Sequence, residues 1–162
     1  MSLINTLNNL AAATIKRHPH VDHGGCCVVA AHVGKRLQEK NIPVRIRVLN
    51  NPWMGNAPDL DEAREQISNS LDKWEWEQSD VDFYHVIVEF EYDGKKYAYD
   101  STDGVREIDE VHHEDGVLLD GAMTVEEARA LADVDDWNPM FNRDQVSTVR
   151  RRITRMLNSA VV

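Results

Sequence analysis

Cysteine is scarce: two residues in 162, and they are neighbours, Cys26 and Cys27. A disulfide between adjacent residues is strained and no third Cys offers a partner. This excludes a disulfide-stapled scaffold and makes a reduced, cytoplasmic setting the expectation. Long apolar runs are missing too; Leu10-Ala11-Ala12-Ala13 is far too short for a signal peptide or a membrane span. Positive charge is in deficit, with 18 Lys and Arg against 28 Asp and Glu, for a formal net charge of −10. A field of that sign repels phosphate, so neither nucleic acid nor an anionic membrane is an expected partner. No internal repeat, low-complexity tract or linker divides the chain, and its length suits one domain over residues 1–162 with a single core.

The elements follow from periodicity. Ser2 is placed to cap a first helix carrying Leu3, Ile4, Leu7, Leu10 and Ala11 on one face and ending near Lys16-Arg17. A second helix runs from Gly25-Cys26 to about Lys40, with Cys26, Ala30, Val33 and Leu37 on its apolar stripe. Strict alternation predicts a strand over Val44–Leu49, and a polar helix is expected over about Leu60–Leu71. Residues 83–92 and 95–100 flank Asp93-Gly94, the strongest short-range hairpin signal, which pairs Tyr92 with Lys95 in a two-residue type I′ loop. Counting back pairs Ile87 with Asp100 and His85 with Thr102. Residues 105–121 read as an acidic loop with a short strand at Val117-Leu118-Leu119. Thr124 with Glu127 forms a capping box for a short helix, and a last helix covers about Arg143–Asn158.

Chemistry concentrates at Asp22-His23-Gly24-Gly25-Cys26-Cys27. A thiol in the first turn of a helix faces unpaired N–H groups, which favour the thiolate. The helical stripe selects Cys26 over Cys27. The hairpin register puts His85 and Asp100 on one face, one diagonal apart and within reach of each other. An imidazole held by a carboxylate and presenting its other nitrogen is what a thiol nucleophile needs as a base. Ile87 and Ala98 share that face and are expected to receive the Cys26 helix, leaving Val86, Val88, Phe90, Tyr97 and Tyr99 on the other.

This order resembles the transglutaminase-like branch of the papain-like cysteine enzymes, in which Cys starts a helix, His sits on a following strand and Asp on the next. Gly24-Gly25-Cys26-Cys27-Val28-Val29-Ala30 is similar to the family's Gly-x-Cys-x-x-x-Ala helix start. The stretch from Leu37 through Asn41-Ile42-Pro43 to Arg45 resembles its helix-to-strand passage, and His85–Phe90 with Tyr99–Thr102 resemble its His strand and Asp-Pro-Thr end. Ser101 stands where the family has Pro, and Cys27 where many members carry a large residue. The resemblance implies an α+β papain-like core: the Cys26 helix packed on an antiparallel sheet, with additional helices towards the C-terminus. It implies a thiol-dependent acyl-transfer enzyme hydrolysing an amide or peptide bond, with Cys26 as nucleophile, His85 as general base and acid, and Asp100 orienting the ring. The substrate would be a protein, a peptide or a small amide, with no cofactor and no metal. The Cys26 backbone N–H, His20 and His23 are candidate oxyanion donors; Cys27 and Trp53 are candidate cleft residues.

Two other classes compete. A catalytically silent binding or regulatory protein could keep the same fold. His18, His20, Asp22, His23, Cys26, Cys27 and His32 offer zinc-ligand chemistry within fifteen residues, although no Cys-x2-Cys or helical His-x3-His pair presents two ligands together. The arginines at 150, 151, 152 and 155 are expected to pair with acidic residues of the 107–136 region.

Overall fold

The computed structural model describes residues 1–19, 21, 25–50, 59–71, 83–111, 117–134, 137 and 141–162. The expectations placed on His20, Asp22, His23, Trp53, Trp74, Trp76, His112 and His113 lie outside the described residues. Helix α1 spans Leu3–Arg17, with Leu3, Leu7, Leu10 and Ala11 buried. Ser2 caps it, its hydroxyl oxygen accepting the Asn5 N–H at 3.3 Å. Helix α2 spans Gly25–Glu39 and is buried almost all round over its first half, from Gly25 to Ala31. A helix that is apolar on every side must be enclosed. Here the sheet covers one flank, while α4 (Val125–Leu131) and α5 (Arg143–Asn158) cover the others. Between them in sequence, α3 covers Leu60–Leu71.

Among the described residues, five antiparallel strands make one sheet: β1 (Val44–Asn50), β2 (Phe83–Tyr92), β3 (Lys95–Asp100), β4 (Gly104–Glu107) and β5 (Val117–Leu118), in the order β4-β3-β2-β1-β5. The architecture is therefore α+β. Asp93 and Gly94 have φ of 54° and 76°, as a type I′ loop requires. The register runs from Tyr92↔Lys95 to Val88↔Tyr99, in step with the expected one. Strand β4 replaces an expected loop. Gly104, at φ 81°, turns the chain straight after Asp100 and lets residues 104–107 return along β3. A 3-10 turn, Ile108–Glu110, follows.

The two sheet faces carry the reverse of the expected assignment. Val86, Val88, Phe90 and Tyr99 join Ile46, Val48 and the α2 residues in the main core, whereas Ile87 and Ala98 belong to a smaller cluster with Leu49, Val111 and Leu118. Helix α2 thus packs on the face with more apolar bulk, because burial scales with the area that the two partners can offer. Arg47 crosses the opposite face, bonding the buried Glu89 at 3.2 Å and the Leu119 carbonyl at 3.2 Å.

Rungs on β4 and on the outer side of β1 are taken up by other parts of the chain. On β4, the Val105 N–H donates to Asn8 Oδ1 of α1 at 2.8 Å. Beyond β1, Leu119 N–H bonds the Val48 carbonyl, and Met123 exchanges both backbone bonds with Ile46. In the C-terminal part, the Thr124 hydroxyl accepts the Glu127 N–H, but the Glu127 carboxylate turns to Arg64 at 2.9 Å, so only half of the expected box forms. The complete capping box is at Asn142 and Gln145, opening α5. The arginine expectation is met at Arg150 but not at Nη1 of Arg152. Arg150 feels the Asp133 carboxylate, but Arg152 is buried beside Arg17 and Arg155, and its Nη1 has no hydrogen-bond partner among the described residues.

Candidate active site

Three elements bring the site together: the first turn of α2, the start of β2 and the end of β3. The glycine at 25 lets the helix start lie close, since a Cβ there would come within 2.9 Å of the Phe141 ring and 3.1 Å of Val21. Cys26 follows at once, 4% exposed. On β2 the pairing with β1 slips by one residue: Leu49 opposes His85 and Asn50 opposes Phe83, leaving Tyr84 as the extra residue. Such bulges re-aim side chains near strand ends, and this one stands directly before His85.

His85 Nε2 is 2.7 Å from Asp100 Oδ1, with both side chains buried. The Cys26 thiol lies close enough to the same imidazole to help raise its pKa. The structure therefore assembles Cys26, His85 and Asp100 into one connected cluster, the three residues singled out by sequence order and strand register.

Asp100 is held from several sides. Its Oδ1 accepts the Thr102 N–H at 2.8 Å and the Thr102 hydroxyl at 2.7 Å, with the Asp103 N–H at 3.4 Å. Arg106 Nη2 stands 3.8 Å from the other oxygen. Burial by itself would raise the carboxyl pKa. The hydrogen bond from His85, its positive charge and the Thr102 donors outweigh that, and the group is held far below the usual carboxylate range. The ring shows the mirror image. Burial by itself would lower the His85 pKa, but the hydrogen bonds to Asp100 and Cys26 and the negative charge of both hold it well above 6.5. The pair is built to carry an imidazolium next to a carboxylate.

The turn after β3 supplies what residue-level reading overlooked. Ser101, buried, places its Oγ 3.4 Å from His85 Nε2, so the ring nitrogen faces two oxygens. Ser101 is thus in contact with the His85 ring. Thr102 acts as the second anchor of Asp100, and the signal for it was present in the sequence as Asp-Ser-Thr, a run whose short side chains bond their own turn.

Cys27 is placed elsewhere. Its thiol contacts the Ala128 carbonyl of α4 at 3.6 Å and is 1% exposed. Burial, reinforced by the neighbouring Cys26, pushes its pKa far up. It packs between helices and does not line a cleft at the imidazole. The zinc constellation fares likewise among the described residues, where no three His, Cys, Asp or Glu side chains converge. His32 Nε2 bonds the Thr154 hydroxyl at 2.9 Å, and His18 lies edge-on to Phe141.

Comparison with family models, with curated proteins and with solved structures gives no match.

Among the described residues, no helix is long and apolar enough to cross a membrane.

Proposed function

We propose that this protein is a thiol-dependent acyl-transfer enzyme with a papain-like, transglutaminase-like core, hydrolysing an amide or peptide bond. The observation that carries the reading is the shared imidazole: a buried ring 2.7 Å from Asp100 Oδ1, with its pKa raised by that carboxylate and by Cys26 together. A buried structural thiol needs no such partner.

The residues support a two-step cycle. His85 takes the Cys26 proton, and the imidazolium is stabilised by Asp100, whose own proton is already lost. The thiolate sulfur adds to the substrate carbonyl carbon, and its electron pair moves to oxygen, towards the Cys26 backbone N–H as a candidate donor. The intermediate collapses as the C–N bond breaks; the nitrogen leaves with the proton from His85, and a thioester remains. Water then attacks the thioester, giving its proton to His85, and the C–S bond breaks to release a carboxylic acid and restore the pair. Hydrolysis is favoured over amine transfer because no described residue marks an amine site.

The test is labelling with a thiol-directed acyl probe, read by peptide mass. The wild-type protein and Cys27→Ala should be modified at Cys26. Cys26→Ala should take no label, and His85→Ala should react about a hundredfold or more slowly, the usual size of a base's contribution. Labelling of Cys26→Ala at the wild-type rate would overturn the assignment.

A further inference from the structure

Helix α2 has a second flank that the two-step cycle leaves unused. Counting about 100° per residue from Cys26 puts Ala31, Val28 and His32 roughly 140°, 200° and 240° away, on the side turned from the thiol. That side lines a cleft of about 490 Å³, whose other walls come from α4, the residues just after it, and α5. The volume lies within the range of small-molecule sites. Val28 and Ala31 are buried. His32 is half-buried, and its Nε2 is held by the Thr154 hydroxyl of α5 at 2.9 Å.

Two guanidinium side chains line the cleft, Arg129 from α4 and Arg150 from α5. Among the described residues neither makes a hydrogen bond or an ion pair. They lie close enough for the charge of Arg129 to disfavour that of Arg150, which burial disfavours as well. Lys35 and Arg36 of α2 add to the positive field, and the His32 ring feels all four cations. Two acids also line the cleft. Asp133 offsets part of the charge on Arg150 without forming an ion pair, and Glu126 stands on the same helix as Arg129. Each guanidinium thus keeps its planar fork of N–H donors uncommitted. Such a fork matches the two oxygens of a carboxylate or a phosphate, and an anion between two like charges relieves their repulsion.

We infer that this cleft is a binding site for a small molecule carrying one oxyanion, a carboxylate or a phosphate, held between Arg129 and Arg150. Val28 and Ala31 offer an apolar floor to the rest of the ligand. Glu126 and Asp133 restrict the site to one such group, because a second anion would meet their charge. The cleft is separate from Cys26, so its occupancy does not depend on acylation chemistry.

The experiment titrates the full chain with inorganic phosphate and, separately, with acetate. Ionic strength is held constant with chloride, and binding is read from nitrogen–proton correlation spectra. Signals of Ala31, Ala130 and the Arg150 side chain should move and saturate. Arg129→Gln and Arg150→Gln should each weaken binding about tenfold or more, the size of a charge-assisted hydrogen bond. Arg129 is exposed, so its variant decides the matter even where Arg150→Gln fails to fold. Arg151→Gln removes the same charge from an exposed position of α5 outside the cleft. It should leave the affinity within about twofold, because solvent and salt screen such a charge. A bound anion should also raise the His32 midpoint from about 4, since it favours the imidazolium. Tighter binding of phosphate assigns a phosphate-bearing ligand and tighter binding of acetate a carboxylate, and either supports the site. Absence of saturable shifts with both anions overturns it. A loss in Arg151→Gln equal to that in Arg150→Gln overturns it too, because the attraction would then be diffuse.

Discussion

His85 sits in a contest between burial and its two partners, and the partners win. The ring should therefore remain protonated well above pH 6.5 in the folded protein. A proton-detected titration of its ring resonances should show this directly, and Asp100→Asn, which removes the nearest negative charge, should bring the midpoint down. An unshifted midpoint in Asp100→Asn would mean that the carboxylate does not govern the base. At this scale much was legible in the chain itself. The hairpin count from Asp93-Gly94 put His85 and Asp100 on one face, one diagonal apart, because a two-residue loop leaves only one register. Cys26 was separated from Cys27 by helical phase, and their contacts differ accordingly, one with the imidazole and the other with the Ala128 carbonyl. The contact of Ser101 with the ring was not legible. It does not follow from spacing; it depends on how the turn after β3 sits beside the start of β2.

Among the elements, α2 is the one whose position decides whether the Cys26 thiol reaches the His85 ring, and Gly25 controls its approach. Gly25→Ala would force a methyl against the Phe141 ring at 2.9 Å. Phe141 is fully buried and has little room to retreat. Overpacking of this kind costs about 1–3 kcal/mol, so urea unfolding should show a loss in that range together with slower acylation of Cys26. Phe141→Leu in the same chain should recover much of the acylation rate, as neighbours in contact are expected to couple. Most helices and strands were readable from periodicity and turn residues. What escaped was tertiary: which face of the hairpin α2 would choose, and that residues 104–107 would form β4. The apolar content of Val86, Val88, Phe90 and Tyr99 argued for the first in hindsight. A four-residue strand with a mixed burial pattern carries little alternation of its own, and β4 owes its existence to the turn at Gly104 and to β3 beside it.

For the molecule as a whole, the titrating groups predict the shape of stability against pH. Asp100 has a lowered folded pKa, so its contribution is complete above the usual carboxylate value of 3.8 and disappears as pH falls towards its lower folded value. His85 has a raised folded pKa, so its contribution is complete below 6.5 and disappears as pH rises through the folded value. His32 behaves oppositely to His85. Burial, with Arg36, Arg150, Lys35 and Arg129 around it, lowers its pKa to about 4. Its contribution is complete above 6.5 and is lost between 6.5 and about 4. Melting temperatures should accordingly fall on both sides of neutrality. His32→Gln should flatten the stretch from 6.5 to 4, whereas His85→Gln should remove the alkaline decline and leave that stretch in place. A profile that His32→Gln does not alter would show that the imidazole is already accommodated as a cation. The bond from Val105 N–H to Asn8, together with the Met123 segment against β1, has a consequence beyond the fold. Open strand edges are templates on which other chains pair. With Val105 satisfied by a side chain from α1, and the far side of β1 taken up by backbone, these positions offer incoming polypeptide little to zip onto. Fibril growth through them is disfavoured, and an extended peptide has no free rung there for strand addition.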